Sequence, residues 1–255
     1  MTFTNPEEIK AGYDVAVRSL RDLQEDLVAR WLPSLKSPRA KEYLAHGVCR
    51  RMSILLRCVE NVFTICPVDR TDLLSRDELA DLQINLHAFV INVHGLLDNL
   101  AWVIVFEKAP DGFTSRRKVW LFSPKLRPHL PPAAQTYLSK PEIEQWFVRY
   151  AQNYRDALAH RIPLYVPPSG LDEAAAAKYA ELDTRIGEKL KVRDVEAVGV
   201  LLDEQSRLGT MLPMFRHSYG DEDASKPVFF HPQLEVDVNT LLEIVRAVAS
   251  TPAPT

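Results

Sequence analysis

Apolar side chains recur every three or four positions between Pro6 and Trp31. Ile9, Tyr13, Val17, Leu20, Leu23, Leu27 and Trp31 share one face and predict an amphipathic helix, with Asn5 placed to cap it and Pro33 to stop it. A second helix is predicted from Pro38 through EYLAHGVCRRMSILLRCVENVFTIC to Pro67, whose missing amide and ring clash end it. The third opens at Ser75, where Glu78 completes a capping-box pattern, and SRDELADLQINLHAFVINVHGLLDNLAWVIVFEK is apolar on most sides. Such a helix is buried by its neighbours.

The periodicity then breaks. DGFTSRRKVWLFSPKLRPHLPP carries Gly, Ser and repeated Pro, so residues 109–138 read as a loop or short-strand insertion. Helix is predicted to resume at Ser139, with Pro141 in the first turn and Glu142 three positions after the serine. It stops near His160, because Ile162 precedes Pro163 and that position disfavours the α region. Beyond it, LDEAAAAKYAELDTRIGEKL and VEAVGVLLDEQSRLGTMLPMF read as helices, and Thr240–Ala249 as a last one. IPLYVPP and PVFFHPQLEV are too punctuated by proline for central strands and are expected to pair as a small edge sheet. The expected fold class is mainly α, in a single helical domain: an N-terminal helix (1–37), a core with its insertion (38–165) and a helical extension carrying the extended pieces (166–255).

Composition narrows the function classes. The 255 residues are 46% hydrophobic and 25% charged, as in ordinary globular proteins, and the net charge is −3. A general nucleic-acid coat needs a basic balance, so any RNA contact here must be local. Cys49, Cys58 and Cys66 lack CxxC spacing and read as reduced thiols, with Cys58 and Cys66 packed as small apolar groups. The start of the chain has Pro and acidic residues where a signal peptide needs a basic start and an apolar run, and the longest apolar run, LAWVIVF, is too short to span a bilayer. The expectation is a soluble, cytoplasmic protein with no membrane partner. A Gly-rich phosphate loop, a serine nucleophile elbow and a CxxC pair are all missing from the sequence, and no cofactor is implied.

Three groups of residues carry candidate chemistry. On the third helix, Asn85, Asn92 and Asn99 form one polar stripe, and His87, His94 and Asp98 form another nearly opposite. Buried polar groups need partners, so Asn92, His94, Asp98 and Asn99 are expected in a polar network that fixes packing or lines a site. His94 and Asp98 with His87 also have spacing open to a metal, but no HExxH-type motif supports it and no metal site is assigned. The basic run SRRKVWLFSPKLRPH offers Arg116, Arg117, Lys118, Lys125 and Arg127 to phosphates, with Trp120 and Phe122 interleaved for bases.

The third group is YRDALAHR. His160 ends a helix among unsatisfied carbonyls, with Asp156 one turn before it; both favour the imidazolium, and a histidine near neutrality passes protons. Arg155 supplies a fork that can hold a phosphate, and Asn153 and Tyr154 add donors beside it. Arginine, a polar residue and then a histidine near a helix end, in an all-helical chain, resembles the R-x4-6-H motif of HEPN domains (higher eukaryotes and prokaryotes nucleotide-binding). The matching residues are Arg155, Asp156 and His160, and the resemblance covers about 38–165. RAKEYLAH, Arg39 to His46, also has the spacing, but Ala40 follows its arginine at a helix start. The resemblance implies a helical bundle acting as a homodimer, with a metal-independent endoribonuclease site where two motifs meet. His160 is then acid/base, Arg155 the stabiliser of the phosphorane and Asp156 the residue orienting the histidine. Other family members are non-catalytic binding or scaffold modules, which leaves that alternative, and an antitoxin or other protein partner, open.

Overall fold

The structure, a computed structural model, describes residues 5–108, 113, 119–217 and 226–250. Asn5 Oδ1 accepts from the amide of Glu7 at 3.1 Å and starts α1 (Pro6–Asp26). A π-helical turn, Leu27–Trp31, carries the helix on to Ser34. Pro33 therefore does not stop it, since it falls in the first turn of Leu32–Ser34, where its missing amide is tolerated. Ser37 caps the next helical run, Pro38–Glu42, which continues through a π-helical stretch, Tyr43–Cys49, into α2 (Arg50–Ile65).

The capping box forms as its spacing predicts. Glu78 N–H donates to Ser75 Oγ at 3.2 Å and Ser75 N–H donates to Glu78 Oε2 at 2.8 Å, opening α3 (Arg76–Lys108). Arg70 clamps the same carboxylate at 2.8 and 3.0 Å and, with the serine, holds it down at a pKa of about 2. By length and composition α3 passes as a membrane span, but 67% of its most apolar stretch is buried, so it is the central helix of the core. α2 packs along one flank of α3.

The insertion is more helical than its prolines suggest. α4 (Pro132–Leu138) lies inside it, because Pro132 takes the first helical position, where an amide is not needed. Ser139 does not cap the following helix: its hydroxyl donates back to Gln135 O at 2.5 Å, and α5 (Pro141–Trp146) starts without a side-chain cap. A π-helical turn, Phe147–Gln152, joins α5 to α6 (Asn153–His160).

Asp172 caps α7 (Glu173–Lys191) and Asp194 caps α8 (Val195–Ser206). The helix expected to run to Phe215 ends nine residues earlier; Gly209 takes φ +93° against the Gly170 carbonyl, and the chain enters β1 (Met214–His217). β1 pairs antiparallel with β2 (Lys226–Phe229). Of IPLYVPP only Tyr165 joins them, through a bridge to Arg216, so the expected pairing of the two proline-rich pieces is replaced by one between neighbours in the chain. HPQLEV is helical: α9 (Phe230–Ala249) starts ten residues before Thr240, with Pro232 still in its first turn.

The fold is mainly α. One core joins α1 through α6, the β-pair and α9, while α7 and α8 close on a small cluster of their own, Leu182, Ile186, Val198 and Leu201. Cys49, Cys58 and Cys66 are buried free thiols, and burial pushes Cys58 and Cys66 up to about 11.

Candidate functional site

Two polar seams run down opposite flanks of α3. On the α2 side, Arg51 Nη1 donates to Asn92 Oδ1 at 2.8 Å and Nε to Asn99 Oδ1 at 2.9 Å, while Asn61 Nδ2 donates to Asn85 Oδ1 at 2.9 Å. The Arg51 guanidinium lies on Gly95, where a Cβ would stand 2.5 Å from its carbon. Nothing in RRMSILLR marked Arg51 as the partner of both asparagines, since an arginine in an amphipathic helix reads equally well as solvated.

The other flank faces α6. His94, 7% exposed, brings Nε2 to 3.4 Å from Arg155 Nη2, and its Nδ1 lies 3.3 Å from Asp98 Oδ2. Arg155 Nη1 lies 2.9 Å from Asp156 Oδ1. His94, Asp98, Arg155 and Asp156 thus form one chain of contacts, uniting residues from the third helix and from the arginine–histidine motif. Further along, His87 Nε2 meets the carbonyl of Leu164 at 2.6 Å and ties α3 to the segment after the motif.

The π-helical turn sets the approach of α6. Its Phe147 ring stacks on Phe122 at 4.2 Å, on Trp120 at 5.8 Å and on His94 at 5.9 Å. The aromatics of the insertion therefore pack toward the site, with Trp120 still 38% exposed. Lys125 and Arg127 are exposed, and Lys125 Nζ sits over Phe113 at 4.9 Å. Arg116, Arg117 and Lys118 lie outside the described residues.

His160 is exposed on the last turn of α6. With Asp156 it lines an open groove shared by Val148, Arg149, Gln152, Asn153 and Arg161. Five residues of helix turn Arg155 and His160 about 140° apart, so within one chain Arg155 faces α3 while His160 faces the groove. Asp156 touches both environments, but its pairing is with Arg155, not with the imidazole as the motif implied. Arg161 Nη2 donates to the backbone carbonyl of Asn153 at 2.9 Å and also to its side-chain oxygen. Tyr154 is a correction: it is 1% exposed, edge-on to Phe215 at 5.4 Å and Tyr150 at 5.6 Å, because it shares the inward face of α6 with Ala157. It is a core residue and offers RNA no surface donor.

Among the described residues no group of three or more His, Cys, Asp or Glu is placed to hold a metal ion; His94 lies between Asp98 and Arg155, and His87 is turned to a carbonyl. Comparison of the chain with protein families, with curated proteins and with solved structures finds no match.

Proposed function

We propose that this protein is a metal-independent endoribonuclease of HEPN type, acting as a homodimer. The observation that carries the reading is the groove at the end of α6, where His160 and Asp156 stand one turn apart between Arg149 and Arg161, with Arg155 joined through Asp156. An exposed imidazole among guanidinium groups suits a polyanion whose cleavage needs a proton moved. The ribose 2′-oxygen attacks the adjacent phosphorus, the 5′-oxygen leaves, and a 2′,3′-cyclic phosphate results. One His160 accepts the 2′-hydroxyl proton, and the partner copy's equivalent group protonates the leaving oxygen. Arginine holds the phosphorane charge. A two-fold arrangement brings the arginine of one copy toward the histidine of the other, which one chain alone does not do. In this reading the protein acts in the cytoplasm, with single-stranded RNA as substrate.

The test is cleavage of mixed RNA in EDTA by the wild type, His160→Ala and Arg155→Ala. His160→Ala is expected to lose about 10²–10⁴-fold in rate, and Arg155→Ala about 10²–10³-fold. Equal cleavage by all three removes these residues from the reaction. The second reading is a non-catalytic helical binding module, favoured by one observation: the Arg155 guanidinium is already engaged by His94 and Asp156. Absence of cleavage with retained dimerisation selects it.

A further inference from the structure

We infer that His94 and Asp98 are positioning residues for Arg155, acting as a histidine–carboxylate pair that fixes the direction of its guanidinium. The inference rests on the ribonuclease reading but assigns roles to residues which that reading leaves unused.

A guanidinium has five N–H donors and no acceptor. At 3.4 Å from Arg155 Nη2, the Nε2 of His94 faces it only as a bare nitrogen, because a proton there would set donor against donor. A neutral imidazole with Nε2 bare carries its proton on Nδ1, and Nδ1 is the atom 3.3 Å from Asp98 Oδ2. The carboxylate favours a proton on the nitrogen it faces. Asp98 thereby selects the tautomer that lets His94 receive Arg155.

Two further features hold the ring. His94 is 7% exposed and stacks on Phe147, so it has little freedom to flip. Asp156 Oδ1 takes Nη1 at 2.9 Å while His94 faces Nη2, so the two terminal nitrogens of the fork are directed by separate partners. A planar donor held at both ends is oriented before substrate arrives, and misplacing such a group by about 1 Å costs up to about 100-fold in rate.

Asp98 is the residue to test, since its side chain is 43% exposed and its removal leaves no core cavity. Nitrogen-15 NMR of the full chain, with the His94 ring signals assigned by their loss in His94→Phe, is expected to show Nδ1 protonated and Nε2 bare. In Asp98→Ala the Nε2–H form gains population, and the separate Arg155 Nη signals move together as the guanidinium, held then by Asp156 alone, rotates faster. RNA cleavage by Asp98→Ala is expected to fall about ten- to a hundredfold in kcat with KM little changed, while the melting temperature holds. Asp98→Asn, which keeps an oxygen facing Nδ1, restores most of kcat. An Nε2–H tautomer in the wild type overturns the inference, and so does a wild-type kcat in Asp98→Ala. If the wild type cleaves no RNA, the ribonuclease reading fails by itself, and the tautomer and Arg155 signals still decide whether Asp98 and His94 position the guanidinium.

Discussion

Asp237 is a carboxylic acid in the core, 6% exposed, with Oδ1 accepting from Trp146 Nε1 and from Gln233 Nε2 at 2.7 Å each. Burial outweighs those bonds and raises its pKa from 3.8 to about 7. The folded protein then holds a proton that the unfolded chain has lost, so this group's contribution to stability falls as pH rises from about 4 to about 7. Asp237→Asn keeps an acceptor for the indole and removes the charge. Chemical denaturation is expected to find the variant more stable than wild type at pH 8, by on the order of 1–3 kcal/mol, and the two alike near pH 4. His231, buried against the Cys66 carbonyl at 2.7 Å, is lowered from 6.5 to about 4 by burial, and its contribution falls as pH drops through that window. The wild type combines both slopes with opposite sign; the variant keeps only the histidine's. Gly95 is a second residue with a definite sign. Alanine in place of a helical glycine usually adds about 1 kcal/mol, but here its Cβ meets a guanidinium tied to Asn92 and Asn99. Gly95→Ala is expected to destabilise, by about 1–3 kcal/mol as buried Asn92 loses its donor, read from the denaturant midpoint.

At the scale of elements, the sequence is legible where a local rule acts alone. Asn5 and the Ser75–Glu78 box each start a helix where their spacing says, because a cap needs only residues within one turn. It misleads where two local rules compete. Ser139 and Glu142 have the spacing of a box, yet the serine closes the helix behind it, a choice made by where α4 ends and not by the serine. Met214 and Phe215 continue an apolar helical pattern, and only the antiparallel partner at 226–229 makes them a strand. The π-helical turn Phe147–Gln152 has no sequence signature, although it rotates the motif helix relative to the one before it. His94 and Asp98 are legible as a pair because they stand one turn apart on α3, whereas Arg155 lies on a helix far along the chain and meets His94 only through packing. Removing the box tests the local rule directly. Ser75→Ala is expected to cost about 1 kcal/mol, measured as a shift in thermal midpoint.

Across the whole molecule, burial is unequal. The main core spans α1 to α6 and α9, whereas α7 and α8 share four buried apolar residues and leave Leu190, Val192, Val195 and Val200 more than half exposed. So small a cluster supports little independent stability. Native-state hydrogen exchange is expected to show the amides of α7 and α8 opening at much lower free energy than those of α3, with protection in α3 near the global value. Equal protection in both would mean that the pair is held by the main core after all.

The base of that helical pair is a backbone bridge. Gly170 N–H donates to Thr210 O at 2.8 Å and Thr210 N–H donates back at 3.0 Å, so the chain leaves the body and returns to it within one pairing. Topologically, residues 171–209 are a detour of thirty-nine positions whose exit and entrance coincide, and its buried apolar cluster is separate from that of the body. A detour of this kind tolerates change in length, because the entropy of closing a loop grows only with the logarithm of its size. The same juncture is therefore a splice point: a short Gly-containing turn could span it, or a foreign domain be grafted there, without re-registering the helices on either side.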